Sequence, residues 1–274
     1  LICLEAGTET FFRLGQTIEN QIKKHGTLPP KDFKKWAVIC EHIIRHYNEG
    51  WADGFELNIE YWEIWNEPDL SRDDSTHKPT WGGTRAQFFD FYEVAAKHLK
   101  GCFPNLKIGG PAISGSLEWA DAFLSEMSNR GVSLDFFSWH GYCDRPQKMM
   151  EKAVKVREMM DKYNYRNAES ILNEWNYIRG WEEDYIYSIK SIHGLKGSSF
   201  TMAYICEAQR SSIDMLMYYD ARPRVAYNGL FDHYTQAPMP QYYALYAWKN
   251  LVRLGTQVRS EVSDDDIYVV SAKG

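Results

Sequence analysis

The sequence lacks the features that mark binding to nucleic acids or insertion into membranes. Its 274 residues include 31 Lys and Arg against 37 Asp and Glu, for a net charge of −6, and they contain no basic run. A mildly acidic chain without basic clusters has no electrostatic footprint of a nucleic-acid-binding protein. The mean hydropathy is −0.50, and no apolar stretch approaches the roughly 20 residues that a membrane span requires. We therefore expect neither nucleic acid nor membrane among the partners.

Cysteine is scarce, and motifs for metals or phosphates are missing. The five cysteines show no Cys-x-x-Cys spacing, which favours free thiols over disulfides or a metal site. No Gly-x-Gly-x-x-Gly motif, phosphate-binding loop or nucleophile elbow is present. His42 and His46 have the spacing of a zinc-protease helix, but Glu41 precedes them and His42 falls opposite the apolar stripe of its helix. The sequence predicts no metal and no cofactor.

Aromatic residues, in contrast, are abundant. They make up 15% of the chain, with 10 Trp and 18 Tyr. Indole and phenol rings beyond the needs of a core form surfaces that stack on flat partners such as sugar rings. The composition therefore points to a carbohydrate as the partner.

Six short apolar runs of strand type alternate with amphipathic helical stretches. The strand-type runs are 10–15, 59–65, 106–111, 134–140, 169–175 and 213–219, and the helical stretches are 30–48, 84–101, 117–129, 147–163, one that begins near residue 184, and 241–254. Residues 200–204 either continue a helix or form a short extra piece. Strand-then-helix units at this spacing predict a parallel sheet with covering helices.

The predicted fold class is α/β, a (β/α)₈ TIM barrel. Such a barrel has eight units in about 250 residues, and the six visible units are expected to be strands three to eight of an N-terminally truncated barrel over residues 1–255. Residues 256–274 alternate in hydropathy and are expected to begin a C-terminal β segment. Leu1–Gly7 reads as the last turn of a helix that ends at glycine. A signal peptide, if there is one, would precede this sequence, so the localisation stays open.

Candidate reactive residues lie where the predicted strands end, because the active sites of such barrels are built at the carboxyl ends of their strands. Glu67 and Glu174 end strands that are separated by two others, and both have tryptophan neighbours in the sequence. Glycoside cleavage requires two facing carboxylates, of which one protonates the leaving oxygen and the other attacks the anomeric carbon or activates water. The sequence thus predicts a glycoside hydrolase.

The segments around these glutamates resemble a known enzyme family. Ile64–Pro68 resembles the Asn-Glu-Pro element of the (β/α)₈ retaining glycosidases, and Asn173–Trp175 resembles the seventh-strand element of the same clan. The stretches Trp62–Asp69, Lys107–Ala112 and Phe136–Tyr142 are similar to glycoside hydrolase family 39, which contains β-xylosidases and α-L-iduronidases. The resemblance implies that Glu67 is the acid/base on strand four, that Glu174 is the nucleophile on strand seven, and that Asn66 hydrogen-bonds the sugar 2-hydroxyl.

Other strand-end residues are candidates for substrate binding. His140 and Tyr142 belong either to the pocket or to the core. Trp65, Trp81 and Trp175 are candidate stacking platforms, and Trp81, in a polar loop, has the least reason to be core. Arg13, Asp220 and Arg222 form either salt bridges at the barrel rim or, for Arg13 and Arg222, contacts to a carboxylate on a uronide substrate.

We therefore expect a retaining glycoside hydrolase that acts on xyloside- or uronide-type substrates, with the activity of the truncated chain alone in doubt. The alternative is a non-catalytic or degenerate carbohydrate-binding barrel. Six strands cannot close an eight-stranded barrel, so Phe11 and Met217 are expected on strands that do not pair with each other. Such open edges favour association, although the oligomeric state is left open.

Overall fold

A computed structural model describes residues 2–16, 18–264 and 266–274, so that Leu1 of the predicted helical turn lies outside the described residues. The helices are α1 Ile2–Glu5, α2 Phe33–Asn48, α3 Arg85–Cys102, α4 Leu117–Asn129, α5 Pro146–Lys162, α6 Tyr185–Ile192, α7 Leu195–Ala208 and α8 Pro240–Val252. The strands are β1 Phe11–Leu14, β2 Tyr61–Ile64, β3 Lys107–Ile113, β4 Phe136–Cys143, β5 Glu169–Tyr177, β6 Met215–Tyr218, β7 Thr256–Val258 and β8 Ser271–Lys273.

The strands β1 to β6 form one six-stranded sheet whose order follows the chain. The pairs β1–β2, β2–β3 and β3–β4 are parallel. For β4 and β5, the backbone N–H of Glu169 donates to Asp135 near the start of both strands, and that of Ile178 donates to Cys143 at their ends, so these strands also run in the same direction. The six predicted strand–helix units are confirmed, and 200–204 lies within α7. The number that each strand would carry in a complete barrel stays a prediction.

Two glycines let β3 lie close to both of its neighbours. A Cβ at Gly109 would lie 2.3 Å from the carbonyl oxygen of Phe136 on β4, and one at Gly110 would lie 2.7 Å from the carbonyl oxygen of Ile64 on β2. Gly110 also has φ +137°, a conformation that other residues rarely adopt. The absence of side chains at Gly109 and Gly110 thus allows the backbones of β4 and β2 to approach β3 closely.

Side-chain caps define where the helices α2, α3 and α4 begin. Asp32 accepts a hydrogen bond from the backbone of α2, and Ser116 accepts one from the backbone of α4. Thr84 and Gln87 form a reciprocal capping box at the start of α3. Because each cap satisfies backbone donors that have no partner within the helix, it fixes where the preceding loop ends.

The chain divides into two compact units, the first being Leu1–Trp139 with Glu158–Ile171 and the second His140–Arg157 with Leu172–Gly274. The first unit has a core of large aromatic side chains, among them Trp62, Phe88 and Tyr92. The second contains the ends of β4 and β5, and β7 pairs antiparallel with β8 within it. The expected division at residue 256 stays a prediction. Among the described residues, no helix is both long and apolar enough to cross a bilayer.

Candidate active site

In the first unit, Glu67 lies in a tightly bonded turn just after β2. It has a left-handed backbone conformation, with φ 48°. Its backbone N–H donates to the carbonyl oxygen of Ala112 at 2.9 Å, and its own carbonyl accepts from the Thr80 hydroxyl at 2.6 Å. The residue is only 7% exposed. Strained backbone of this kind persists only where the surroundings fix it, and it is common at functional sites.

A buried carboxylate two residues later ties this turn to the next strand–helix connection. Asp69 accepts hydrogen bonds of 2.8 to 3.1 Å from the backbone N–H groups of Ser114, Gly115 and Ser116. It also accepts one from the Ser114 hydroxyl at 2.8 Å. The loop that carries Glu67 is therefore held against the start of α4. Sequence reasoning missed Asp69, although an acid that follows Asn-Glu-Pro was a visible signal.

Asn66, the predicted sugar-binding amide, is buried next to Glu67. It is 3% exposed, and its side-chain Oδ1 has no hydrogen-bond partner among the described residues. Buried polar atoms are nearly always hydrogen-bonded in folded proteins. This acceptor without a partner suits a ligand hydroxyl, and the role of Asn66 in binding a sugar stays a prediction.

Trp65 and Trp81 lie in the core of the first unit. Each is 1% exposed, and their rings pack edge to face at 5.2 Å, with Phe91 at 5.4 Å from Trp65 and 5.2 Å from Trp81. The expectation that Trp81 lies outside the core is wrong, because the polar loop folds its indole onto α3. A stacking platform needs an open ring face, and the burial of these two indoles supports a structural role instead.

Arg13 pairs with the carboxylate of Glu63 through its Nε. The Glu63 side chain is fully buried and that of Arg13 is 28% exposed. A buried carboxylate requires such a partner, since an uncompensated charge in the interior is costly. This ion pair is the salt bridge that the sequence offered for Arg13 as the alternative to substrate binding. A contact between Arg13 and a substrate stays a prediction.

In the second unit, two residues of β4 surround the carboxylate of Glu174 on β5. The Tyr142 hydroxyl donates to Glu174 Oε2 at 3.0 Å, and His140 Nδ1 lies 3.4 Å from the same oxygen. His140 is fully buried, and its carbonyl accepts from the Lys152 ammonium at 2.7 Å. The structure therefore brings together the three residues that the sequence placed at the ends of these two strands.

An aromatic group that sequence reasoning missed surrounds Tyr142. Its ring lies 5.3 Å from Trp181, 6.3 Å from Tyr227 and 6.5 Å from Tyr219. Burial raises the pKa of the Tyr219 hydroxyl, and the negative charge of Glu174 adds to this effect. These rings come from two loops, one after β5 and one after β6, so no local pattern in the sequence indicated that they meet.

Asn176 joins the end of β5 to the chain after β6. Its amide Nδ2 donates to the carbonyl oxygens of Tyr219 at 2.7 Å and Tyr227 at 3.0 Å. Asn176 and Glu174 are two residues apart on one strand, so both point to the same face of the sheet. Asn176 thereby fixes the two tyrosines on the side of the sheet that carries Glu174. The alternation of polar residues along 172–177 was the signal that could have identified it.

Trp175, the third predicted platform, points to the other face and is buried at 2% exposure. Its ring stacks on Tyr204 of α7 at 4.3 Å with an interplanar angle of 21°. One face of the indole is thus covered by the protein itself. As for Trp65 and Trp81, this burial supports a structural role.

Asp220 and Arg222 bind each other. The Arg222 guanidinium donates to Asp220 Oδ2 at 2.8 and 3.1 Å, and the Arg222 backbone N–H donates to Oδ1 at 2.8 Å. This carboxylate raises the pKa of the arginine. Asp220 is buried, whereas the Arg222 side chain is 67% exposed. A role for either residue in binding a substrate stays a prediction.

One group of side chains in the first unit resembles a metal site. The ligand atoms of Glu41, His98 and Cys102 lie within 4.8 Å of one another. The Glu41 carboxylate is already bonded to His98 Nε2 at 2.7 Å and to Arg45 Nε at 2.9 Å, and burial together with Glu41 raises the pKa of the Cys102 thiol. A protonated thiol and an adjacent guanidinium favour a hydrogen-bond network over a cation. His42 and His46 contact Trp51 separately, by stacking and by a hydrogen bond to its carbonyl.

Comparisons with known proteins show similarity to one family of glycosidases. Residues 11–219 match the family model "Glycosyl hydrolases family 39". A β-xylosidase of Geobacillus stearothermophilus is 30% identical over 173 residues, which are 56% of this chain and 33% of that enzyme. The α-L-iduronidase of Homo sapiens is 25% identical over 177 residues, or 56% of this chain and 26% of that enzyme. The chain thus spans about a third or less of the length of these curated relatives.

The fold also matches that of solved structures. A glucosidase of Croceicoccus marinus superposes with a TM-score of 0.79 at 25% identity, covering 98% of this chain and 56% of that one. A family 39 β-xylosidase of Caulobacter crescentus superposes with a TM-score of 0.69 at 20% identity, covering 90% of this chain and 56% of the other. The family match extends over most of the chain, from β1 to the residue after β6. The chain therefore belongs to family 39 of the glycosyl hydrolases.

Proposed function

We propose that this protein is a retaining glycoside hydrolase with Glu174 as the nucleophile and Glu67 as the acid/base. The observation that carries the proposal is the setting of Glu174, whose Oε2 accepts from Tyr142 at 3.0 Å and lies 3.4 Å from His140 Nδ1. Donors on one oxygen hold a carboxylate in a fixed orientation, as an attack on carbon requires. Glu67 follows β2 by three residues, next to the buried Asn66, whose amide oxygen has no hydrogen-bond partner among the described residues.

The proposed reaction proceeds in two steps. Glu67 in its acid form protonates the glycosidic oxygen while Glu174 attacks the anomeric carbon, so that the bond to the leaving group breaks and a glycosyl ester forms on Glu174. Glu67 then takes a proton from water, which attacks the same carbon and releases the sugar and the Glu174 carboxylate. Asn66 accepts a hydrogen bond from the sugar, and Tyr142 and His140 orient the nucleophile. The reaction requires no cofactor.

The substrate type that we propose is a xyloside or a uronide. The curated relatives include β-xylosidases and an α-L-iduronidase, and cleavage in both cases can use the same pair of carboxylates. A panel of 4-nitrophenyl glycosides, including β-xyloside and α-L-iduronide, would identify the sugar. We expect one glycoside of this panel to be cleaved at least tenfold faster than the rest.

The assignment of the two glutamates is tested with azide. Glu174→Ala should lose the activity of the wild type and regain turnover of an activated glycoside in azide, giving a glycosyl azide of inverted configuration. Glu67→Ala should instead give an azide of retained configuration, because the glycosyl ester on Glu174 still forms in that variant. Glu169→Ala, at the start of β5, is the control and should keep the stereochemistry of the wild type.

The outcomes separate the proposal from its alternatives. A wild-type product of inverted configuration, seen by NMR at early times, would exclude the retaining mechanism. Saccharide binding without turnover, in the wild type and in Glu174→Gln alike, would favour a non-catalytic carbohydrate-binding protein.

A further inference from the structure

Thr80 binds the turn that carries Glu67 from a loop thirteen residues further along the chain. Its hydroxyl donates to the carbonyl oxygen of Glu67 at 2.6 Å, and its own carbonyl oxygen accepts from Trp65 Nε1 at 2.9 Å. Thr80 is 1% exposed, so both hydrogen bonds are shielded from water. Trp65 and Glu67 both have a positive φ, of 75° and 48°. Thr80 therefore contacts two residues whose backbone conformation is unfavourable for a residue with a Cβ.

The hydrogen bonds of Ser71 and Thr80 run in one direction, towards Glu67. A carbonyl oxygen can only accept, so the single hydroxyl hydrogen of Thr80 lies on its bond to Glu67. In the 3.0 Å contact between the two hydroxyls, Ser71 is therefore the donor. The Ser71 oxygen in turn accepts from the backbone N–H groups of Thr80 and Trp81, at 3.1 and 2.9 Å. Each hydrogen bond of such a chain polarises the next, which strengthens the last one, to Glu67.

The loop that carries Thr80 is attached to a second loop on both sides of this residue. The backbone N–H of Glu19 donates to the Pro79 carbonyl at 2.8 Å, and that of Gly82 donates to the Thr27 carbonyl at 2.7 Å. Thr27 is fully buried, and its hydroxyl donates to the Glu19 carboxylate at 2.8 Å. The second loop thus fixes the position of the Thr80 hydroxyl from outside the turn that this hydroxyl supports.

The backbone of Glu67 matters because a general acid must hold its proton within hydrogen-bond reach of the leaving oxygen. The direction in which the Glu67 side chain leaves the backbone follows from its φ of 48° and ψ of 46°. Without the hydrogen bond from Thr80, the turn would relax towards a more favourable conformation and rotate the carboxyl away. A displacement of about 1 Å can lower a rate about 100-fold.

We propose that Thr80 is a positioning residue for Glu67. Its hydroxyl keeps Glu67 in the left-handed conformation and thereby holds the carboxyl where it transfers protons to and from the substrate. This role rests on the proposed function, because it takes Glu67 as the acid/base. Thr80 acts through the backbone of Glu67 and has no contact of its own with the substrate. Its loss should therefore weaken proton transfer and spare the attack by Glu174.

Two leaving groups distinguish a weakened acid from a general loss of activity. On the sugar that the glycoside panel identifies, dinitrophenolate leaves as a stable anion, whereas the methoxide of a methyl glycoside requires a proton. Thr80→Val removes the hydroxyl and keeps the shape of the side chain. We expect it to lower kcat/KM about tenfold for the methyl glycoside and less than twofold for the dinitrophenyl glycoside. Thr80→Ser keeps the hydroxyl and should stay within about twofold of the wild type on both substrates.

Tyr165→Phe is the matched control for the loss of a buried hydroxyl. The Tyr165 hydroxyl also donates to a backbone carbonyl, that of Val132, at 2.8 Å, and the residue is 8% exposed. Val132 precedes β4 and Tyr165 precedes β5, so both lie at the amino ends of the strands. This variant should affect the two glycosides equally. Glu67→Ala is the reference for complete loss of the acid and should lower kcat/KM about 100-fold or more, for the methyl glycoside alone.

The conformation of Glu67 gives a second measurement that does not depend on turnover. In crystal structures of the variants, we expect φ of Glu67 to stay near 48° in Thr80→Ser and to leave the left-handed region in Thr80→Val. If Thr80→Val does not fold, Ser71→Ala takes its place. It removes the donor to Thr80 and should show the same selective loss, of about threefold.

The role of Thr80 and the proposed function can fail separately. If Glu67→Ala shows the selective loss but Thr80→Val lacks either the selective loss or the change in φ, the role of Thr80 is overturned and the hydrolase stands. If Glu67→Ala affects both glycosides equally, or the wild type turns over neither, the proposed function fails and the role of Thr80 fails with it.

Discussion

Among single residues, Tyr142 offers the most direct test of how Glu174 is held. Tyr142→Phe removes one hydroxyl and the 3.0 Å hydrogen bond to Glu174 Oε2. A hydrogen bond to a charged group contributes about 1.5–3 kcal/mol, which corresponds to roughly 10- to 100-fold in rate. We therefore expect kcat on the preferred glycoside to fall within that range, while circular dichroism and thermal unfolding stay close to the wild type.

Tyr61→Phe is the matched control for this change. The Tyr61 hydroxyl also donates to a glutamate, Glu169, at 2.9 Å, but both residues are the first of their strands, β2 and β5. Because the amino ends of the strands lie away from the site, this variant should keep kcat. Equal losses in the two variants would contradict a specific role for Tyr142.

The residue scale also shows what the sequence could not decide. Glu67 and Glu174 could be located because short motifs mark the ends of parallel strands, where reactive groups gather. The burial of Trp65, Trp81 and Trp175 could not be predicted, because an indole serves equally well in a core and on a sugar-binding surface. Only the packing partners, such as Tyr204 against Trp175, distinguish the two.

At the scale of structural elements, Asp69 connects the turn of Glu67 to the start of α4. Asp69→Ala would leave three backbone donors and one hydroxyl without their acceptor. Each unsatisfied donor costs about 1–3 kcal/mol. With partial rescue by water, we expect the free energy of unfolding to fall by about 3 kcal/mol, as measured by urea denaturation. We also expect kcat to fall about tenfold, because the turn of Glu67 loosens.

Asp74→Ala is the control that removes a carboxylate of the same loop without removing the hydrogen bonds to the start of α4. Asp74 lies five residues further on, is exposed, and pairs only with Arg72 at 2.7 Å among the described residues. Exposed ion pairs contribute about 1 kcal/mol or less, so this variant should unfold close to the wild type. A loss for Asp69→Ala no larger than for Asp74→Ala would contradict the proposed link.

The loop that precedes α2 should respond to pH through one carboxylate. Glu19 accepts from the backbone N–H groups of His25, Gly26 and Thr27 and from the Thr27 hydroxyl. These hydrogen bonds, led by those from Thr27, lower its pKa from 4.5 to about 2. Because the pKa is lower in the folded protein than in the unfolded chain, the stabilisation is present above pH 4.5 and is lost as the pH falls towards 2.

Thermal unfolding of Glu19→Gln would measure this contribution. The glutamine cannot ionise, so we expect it to unfold at a lower temperature than the wild type at pH 6. The difference should shrink as the pH falls from 4.5 and vanish only below pH 2, where the wild-type carboxyl is mostly protonated as well. A difference that stays constant over this range would show that the carboxylate charge does not hold the loop.

Elements with strong periodicity were predicted well, and loops were not. The predicted helix over 117–129 coincides with α4, Leu117–Asn129, because Ser116 caps its start and its apolar positions follow one face. The strand predicted to end at 140 instead continues to Cys143 and carries Tyr142. The segment that leads from β5 to Trp181 is tied to the end of β4 by the hydrogen bond from Ile178 to Cys143. These residues are far apart in the sequence, so no local pattern predicts their contact.

For the molecule as a whole, strand order was the property that the sequence predicted best. Alternation of strands and helices implies neighbouring parallel strands, and the sheet indeed runs from β1 to β6 in chain order. The division into two compact units, which falls within β4 and β5, had no signal in composition or linkers. A boundary inside continuous strands leaves no loop-like segment for sequence reasoning to find.

The two ends of the strand order lead to a prediction about association. In the described part of the chain, β1 stands at one end of this order and β6 at the other, so Phe11 and Met217 lie on strands that do not neighbour each other, as expected. All four residues of β6 are only half-buried, whereas six of the seven in β3 are buried. Edge strands with apolar residues pair with other chains. We therefore expect the 274-residue chain, expressed alone, to show a mass above 32.0 kDa that rises with concentration in analytical ultracentrifugation.

A charge at the edge should weaken this association. Met217→Lys introduces an ammonium on β6, and a charged side chain on an edge strand opposes pairing with a second sheet. Val154→Lys places the same charge on α5, where the valine is 52% exposed, and should leave the mass distribution unchanged. If the unmodified chain sediments as a monomer at every concentration, its strand edges are protected and the prediction is wrong. If both lysine variants reduce the mass equally, net charge rather than strand pairing controls the association.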